Sequence, residues 1–270
     1  MLIHPNFDPV ALQLGPLAIQ WYGLMYVFGF SGVYLAWSYR LKFQPNAVNS
    51  KWNLDLASDL LFYGALGAVL GGRLGYVLFY KPMDYMAEPL TIITGIREGG
   101  MSFHGGLIGV LFAFWLFSRK SKISFLEIGD FVAPVAPIGL FFGRLGNFIN
   151  QELWGKPTDL PWGMVFTTAD AQARHPSMLY EAILEGLLLF VTLWLVSRQN
   201  RPLGLLSGLF LIGYAVSRGL VELVRVPDQH LNYLMFDWVT MGQLLSLPML
   251  LLGLALVVFS TTVQAKTKVN

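Results

Sequence analysis

The chain has 270 residues, 55% hydrophobic and 13% charged, with a net charge of +2 and a mean hydropathy of +0.56. Soluble domains carry about 25% charged residues, so this composition excludes an ordinary water-exposed surface and points to an integral membrane protein; the small net charge argues against a nucleic-acid partner. There is no cysteine, which removes disulfides, thiolate nucleophiles and cysteine metal sites, so any thiol in the chemistry belongs to a substrate.

In chain order, Met1 to Val10 carries His4, Pro5 and Asp8 where a signal peptide would have basic residues. The first apolar segment therefore reads as an uncleaved membrane helix. A span needs about 20 apolar residues. Seven segments qualify: 17–38, 55–79, 102–118, 127–148, 178–197, 203–223 and 237–260. The expected fold class is all-α, a polytopic protein with one transmembrane domain over residues 1–270. In the second span Gly64, Gly67, Gly71 and Gly75 recur at spacings of three and four, which lets helix backbones approach closely. Pro134, Pro137 and Gly139 predict a kink in the fourth span. The long connections 80–101 and 149–177 are rich in glycine, proline and aromatic residues. Gly-Arg-Leu-Gly occurs at 72–75 and 143–146, too short a match to establish duplication.

Basic residues set the orientation. The connections after spans one, three and five, with the tail, hold Arg40, Lys42, Lys51, Arg119, Lys120, Lys122, Arg198, Arg201, Lys266 and Lys268. The opposite side holds only Lys81, Arg97, Lys156, Arg174 and Arg225. This bias predicts a periplasmic N-terminus, a cytoplasmic C-terminus and both long connections outside. Tyr22, Arg73, His104, Arg144, Asn147, Arg218 and Glu222 then fall in one layer, the outer half of the bilayer. Asp55, Asp59, Glu127 and Asp130 fall at inner helix starts, where they complement the helix dipole.

A charge in hydrocarbon costs about 3 kcal/mol on insertion scales, so Arg144 in the run Gly143–Gly155 calls for a reason. Snorkelling to the interface is one; binding an anion is another. Arg218 and Glu222, spaced i, i+4, also fit a structural ion pair. Tyr214 lies one turn before Arg218 and also fits plain packing, and Arg73 reads as structural as readily as functional. His104, flanked by glycines in Gly99–Gly106, is open to approach. Glu152 either orients an arginine or sits exposed. His175 helps start the fifth helix, with Ser177 as its N-cap. His4 and His230 lack supporting context.

Arginine forks match phosphate oxygens and stay charged when partly desolvated. A histidine, with a pKa of about 6.5 when unperturbed, can move a proton. Together they suggest chemistry at the glycerol–phosphate linkage of an outer-leaflet phospholipid. The chain has no Gly-x-Ser-x-Gly elbow, no His-Glu-x-x-His and no acidic metal cluster.

At these residues the chain resembles the bacterial prolipoprotein diacylglyceryl transferase family over nearly its whole length. The likeness rests on ordered blocks: His-Pro-Asn-Phe-Asp-Pro at 4–9, Trp-Tyr-Gly-Leu-Met-Tyr at 21–26, Gly-Gly-Arg-Leu-Gly-Tyr at 71–76, and Gly-Gly-Met-Ser-Phe-His-Gly-Gly at 99–106. Residues 143–155, Arg-His-Pro-Ser at 174–177 and Gly-Tyr…Arg…Glu at 213–222 complete it. Only the stretch from Trp162 to Arg174 is compact for the family.

The resemblance implies a multi-pass enzyme of the bacterial inner (cytoplasmic) membrane, its active site facing the periplasmic leaflet. It implies transfer of the diacylglyceryl group of phosphatidylglycerol to the lipobox cysteine of a prolipoprotein signal peptide. A thioether and glycerol phosphate result, with membrane lipids as surroundings and no cofactor or metal. His104 resembles a base for the thiol, whose free pKa is about 8.5, although a lipid-holding role fits the sequence equally. Arg144 and Arg218 resemble the residues that grip the lipid phosphate. Asn147, Glu152, Tyr22, Tyr214 and Glu222 resemble a polar shell around them, and Gly155 a backbone requirement. Arg73 joins the expected lipid-binding set.

Three rivals stand beside this reading. A phospholipid transporter or flippase would bind the same headgroup, but nearer the midplane. A non-catalytic scaffold or receptor leaves the buried charges unexplained. Transfer of the lipid group to another acceptor is the third.

Overall fold

The structure, a computed structural model, describes residues 2–80, 82–95, 99–227 and 239–267. Lys81, Arg97, His230 and Lys268 lie outside the described residues, as does the start of the seventh expected span. The fold is mostly helical, with short strands β1 (Leu2–Ile3), β2 (Val10–Leu14), β3 (Leu17–Gln20), β4 (Met164–Val165) and β5 (Ala173–Arg174). The helices are α1 (Trp21–Phe43), α2 (Leu54–Phe79), α3 (Pro82–Ala87), α4 (Thr91–Thr94), α5 (Phe103–Ser121), α6 (Phe125–Val132) and α7 (Ala136–Ile149). Then come α8 (Ser177–Glu181) and α9 (Leu189–Val196), joined without a break by a π-helical stretch, Ala182–Leu188, and finally α10 (Leu205–Glu222) and α11 (Met241–Thr267).

Among the described residues four helices are long and apolar enough to cross a membrane: α2, the continuous helix Ser177–Val196, α10 and α11. The pair α6–α7, bent by 55°, makes a fifth if it counts as one span. The bend sits where the sequence places prolines. Pro134 has no N–H to donate, and Val135 N–H donates to Val132 O. The carbonyl of Phe131 accepts from Trp37 Nε1 at 3.1 Å.

Three sequence expectations are corrected here. The first helix starts at Trp21, not residue 17, because 17–20 pair with β2 as an antiparallel strand through the Gly15 turn. Asp130 does not serve its own helix: its carboxylate accepts from Gly204 N, Ser207 N and Ser207 Oγ, and so caps α10, whose own N-cap Gly204 has no side chain. Arg40 is no solvated loop charge. It is buried, and its Nη2 lies 3.4 Å from Ser197 O, while Arg201 Nε donates to Val196 O. Both cations meet the carbonyl end of α9, where the helix dipole favours them.

The chain divides into two compact units, residues 50–128 and the remainder. In the first, α2 packs on α5 through the glycine stripe. A Cβ on Gly71 would collide with Gly105 O and stand 2.7 Å from Gly109 Cα. Asn53 and Ser102 cap the two helices by accepting from Leu56 N and Gly105 N. In the second unit α1 crosses α7 at Gly29 and Gly139, and α10 crosses α11 at Gly208 and Gly253. The strands form a small cap: β1 runs parallel to β4, and β4 antiparallel to β5, over Met164, Phe166 and Met178. His4 is buried under it. Asn6 N–H donates to its Nδ1, leaving Nε2–H to donate to Phe148 O at 3.0 Å.

The glycine contacts predict a contrast, checked by thermal unfolding in detergent. Gly71→Ala is expected to lose about 1–3 kcal/mol through overpacking between α2 and α5. Gly139→Ala, whose Cβ meets nothing within 4 Å, is expected to be neutral or to gain up to about 1 kcal/mol from helix propensity.

Candidate functional site

The site is built where α7, the helix from Ser177 to Val196, and α10 meet. Gly186 lets the fifth segment approach α7 closely, since a Cβ there would stand 2.7 Å from Phe141 Cβ. That approach brings Glu181 and Glu185 to Arg144, one turn after Phe141. Arg144 Nε lies 3.0 Å from Glu181 Oε2, and Arg144 Nη2 lies 3.3 Å from Glu185 Oε2. The other Glu181 oxygen pairs with Arg218 Nη1. Arg218 Nη2 pairs with Glu222 Oε1, and Arg225 Nη1 reaches that same oxygen at 3.2 Å. Thr240 Oγ1 donates to Glu222 Oε2 at 2.6 Å.

The relay continues in the other direction. Arg144 Nη1 lies 3.5 Å from Asn147 Oδ1, and Asn147 Nδ2 donates to Glu152 Oε2 at 3.0 Å. Glu152 sits between two residues in left-handed backbone conformation, Gln151 (φ 55°) and Leu153 (φ 61°). Each such residue costs about 1–3 kcal/mol and persists only where its surroundings over-determine it. They do so here: Gln151 Oε1 accepts from Thr167 N, Gln151 O from Thr168 Oγ1, and Leu153 O from Ser177 Oγ. Ser177 is thus not the N-cap of the fifth helix. It is the first helical residue, after Pro176, and its hydroxyl is donated to this loop.

Glycines hold the frame. The Tyr22 ring lies on Gly146, where a Cβ would stand 2.8 Å from it. Tyr22 is close enough to Glu152 and Arg144 to feel both charges. The Tyr214 hydroxyl is likewise within electrostatic reach of Glu185, Arg218, Arg144 and Glu181. Gly155 passes the backbone of Val224 and His175, where a Cβ would meet Val224 O at 2.6 Å, and it bridges to Arg225. Gly242, in the first turn of α11, lies under Glu222 and leaves no room for a methyl group.

Eight expected site residues therefore gather in one unit: Tyr22, Arg144, Asn147, Glu152, Gly155, Tyr214, Arg218 and Glu222. His104 and Arg73 belong to the other unit. His104 is exposed in the first turn of α5, its ring edge-on to Phe103, with no hydrogen bond to a described residue. Arg73 is buried, and its donors go to the carbonyls of Ile92, Gly99, Gly100 and Thr91. Its guanidinium also lies 5.2 Å from the centre of the Tyr85 ring.

Sequence reasoning missed Glu181 and Glu185, both fully buried, together with Gly186 and Gly242. The two glutamates carried a signal: they are spaced i, i+4 in an apolar segment, the same oddity that drew attention to Arg144. Their carboxylates are 0% exposed, while the side chains of Arg144 and Arg218 are 18% and 12% exposed. The anions are therefore enclosed, and the cations are the partly exposed members of the cluster. Among the described residues no three His, Cys, Asp or Glu gather as a metal site.

Comparison with known proteins bears on this geometry. The family described as prolipoprotein diacylglyceryl transferase matches residues 9–259. A Nitrosomonas europaea protein named phosphatidylglycerol–prolipoprotein diacylglyceryl transferase is 53% identical, over 98% of this chain and 94% of its own length. Proteins of the same name from Cupriavidus pinatubonensis and Legionella pneumophila are 54% and 53% identical, over 99% and 94% of this chain and 96% and 97% of their own lengths.

Two histidines beside the site give a pH prediction. Burial holds His4 below the usual imidazole range, and burial with the neighbouring Lys156 charge does the same for His175. A depressed pKa means that the unfolded chain binds protons the folded chain refuses, so stability rises with pH across this window. It is present above about pH 6.5, the unfolded value, and lost as pH falls below it. Unfolding temperature in detergent is expected to drop between about pH 7 and 5, and His4→Gln is expected to flatten part of that dependence.

Proposed function

The chain belongs to the prolipoprotein diacylglyceryl transferase family, and from that premise we propose that it moves the diacylglyceryl group of phosphatidylglycerol onto the lipobox cysteine of a prolipoprotein signal peptide. The cysteine sulfur attacks the glycerol carbon bonded to the phosphate oxygen. The carbon–oxygen bond breaks, its electron pair stays with the phosphate, and a thioether and glycerol phosphate result. The observation that carries the reading is the pair Arg144 and Arg218, held on one carboxylate with their outer edges open. Charge on the phosphate grows as the bond breaks, and fixed cations stabilise it without reorganising at that moment.

In this reading Arg144 and Arg218 take the phosphate. Asn147, Glu152, Tyr22, Tyr214 and Glu222 orient them, and Gly155 keeps the loop close to the end of α10. His104 takes the thiol proton. Arg73 holds the carbonyls of Thr91, Ile92, Gly99 and Gly100 and stands in the lipid-binding set that the family resemblance implies. The chain forms a single transmembrane domain of seven spans, with α1 and α5 added to the bent α6–α7 and the four most apolar helices. The N-terminus and the connections 80–101 and 149–177 are periplasmic, the C-terminus cytoplasmic, and the site faces the periplasmic leaflet of the inner membrane. Family membership makes the transporter and scaffold readings unnecessary.

Incubation of the purified protein with phosphatidylglycerol and a lipobox peptide is expected to add one diacylglyceryl group to the peptide cysteine, read by mass spectrometry. Arg144→Ala and Arg218→Ala are each expected to lower transfer at least about 100-fold, the scale for removing one charge-stabilising donor. Release of glycerol phosphate with an unmodified peptide would make the protein a hydrolase and sink the proposal.

Orientation has its own test, because the chain lacks cysteine. A membrane-impermeant maleimide is expected to label Asp159→Cys in intact spheroplasts, and Lys120→Cys only after permeabilisation. The reverse pattern would invert the assignment.

A further inference from the structure

Glu181 has no part in the residue set that sequence patterns single out, yet among the described residues it is the one group that forms ion pairs with both arginines. Its Oε2 lies 3.0 Å from Arg144 Nε, and its Oε1 pairs with Arg218 Nη1. We propose that Glu181 is a positioning residue for lipid transfer: its one carboxylate sets the Arg144 and Arg218 guanidiniums at the spacing at which together they receive a phosphate. The proposal rests on the reading that these two arginines bind the lipid phosphate.

Three observations support it. The first is shape. A carboxylate shared by two guanidinium forks presents its oxygens to them much as a phosphate does. Arginines held around one such anion are therefore already spaced for a second. The second is depth. Glu181 is wholly buried while both arginines keep an exposed edge, so the carboxylate sits behind the pair and leaves its open side to substrate. The third is the second tether on each arginine. Arg144 is also held by Glu185, and Arg218 by Glu222. Each guanidinium is fixed by two anions, and Glu181 is the anion they share.

Glu185 is the internal contrast. It is equally buried and lies one turn further on, facing Arg144 from α7, Arg218 and Tyr214 from α10 and Glu181 on its own helix. Among the described residues its one ion pair is to Arg144, at 3.3 Å, and it makes none to Arg218. It steadies one arginine and does not set the distance between the two.

The test is steady-state kinetics of the purified full-length protein, with phosphatidylglycerol and a lipobox peptide. Glu181→Gln, Glu181→Asp and Glu185→Gln are compared with Arg144→Ala and Arg218→Ala. Glu181→Asp keeps the charge that neutralises the arginines, and so keeps the fold, but withdraws the carboxylate by one methylene so that it no longer spans both. Both Glu181 variants are expected to lower kcat about 100-fold, the scale for misplaced catalytic groups, with KM for phosphatidylglycerol within about threefold of wild type, since the loss is made in the transition state. Glu185→Gln is expected to lose less than about tenfold, as a group that holds only one of the two arginines. Wild-type kcat in either Glu181 variant overturns the proposal while leaving the arginine reading intact. Loss of folded Glu181→Asp assigns Glu181 to structure alone and overturns it too. Full transfer by Arg144→Ala and Arg218→Ala removes the phosphate reading and this proposal together.

Discussion

One shared carboxylate organises this protein. Glu181 neutralises Arg144 and Arg218 where water is scarce, beside a second carboxylate on each, Glu185 on Arg144 and Glu222 on Arg218. Removing one partner of a buried pair costs about 3–5 kcal/mol, because the charge left behind finds nothing to replace it. Three helices must therefore meet at side-chain distance, and small residues stand where they do. Gly186 admits the fifth segment to α7, Gly146 accepts the Tyr22 ring, and Gly242 leaves room for the Glu222 carboxylate. Seen this way, these glycines follow from the ion pairs rather than from any general tendency of membrane helices to contain them.

Three further charges, the buried Arg40 and the half-buried Asp130 and Arg201, obey a related rule. In an apolar protein a charge is tolerated against an opposite charge or against the end of a helix. Asp130 closes the N-terminus of α10, and Arg40 and Arg201 close the carbonyl end of α9. For Asp130 and Arg40 the sequence-distant partner supplies what the local sequence lacks. Gly204 offers α10 no capping side chain, so a carboxylate comes from α6. Both ends of the fifth-to-sixth connection are thus held by charges from other helices, and this holds α10, with Arg218 on it, in place beside the fifth segment.

How much of this was legible in the sequence varies from residue to residue. Arg144 and Arg218 stood out because a charge in an apolar run is costly, and the Gly64–Gly75 stripe because its spacing matches a helix face. The bend at Pro134 was legible for the same kind of reason: a missing N–H is a property of the residue itself. What was hidden depends on partners. Arg40 looks like a loop cation until Ser197 O is placed beside it, and Asp130 looks like a cap for its own helix until Gly204 and Ser207 arrive. Ser177 has the right residue type for an N-cap, but the strained loop at Leu153 uses its hydroxyl instead. Glu181 and Glu185 are acidic groups in an apolar run, but their role shows only once the arginines stand beside them.

The repeated tetrapeptide Gly-Arg-Leu-Gly shows most clearly why partners decide. Its arginine at 73 and its arginine at 144 have the same neighbours in sequence, and both are held by several contacts. Arg73 gives its donors to four backbone carbonyls. Carbonyls are dipoles without net charge, so the guanidinium is satisfied but not neutralised, and it is only 4% exposed. It fixes a segment of chain. Arg144 faces two carboxylates, which neutralise it from behind and leave its outer edge at the surface. A guanidinium in that state can accept a further anion without a large rearrangement, because its orientation is already held by charges on the far side. The same four residues thus set one arginine against backbone carbonyls and the other against carboxylates, and the difference lies in what the rest of the chain carries opposite them.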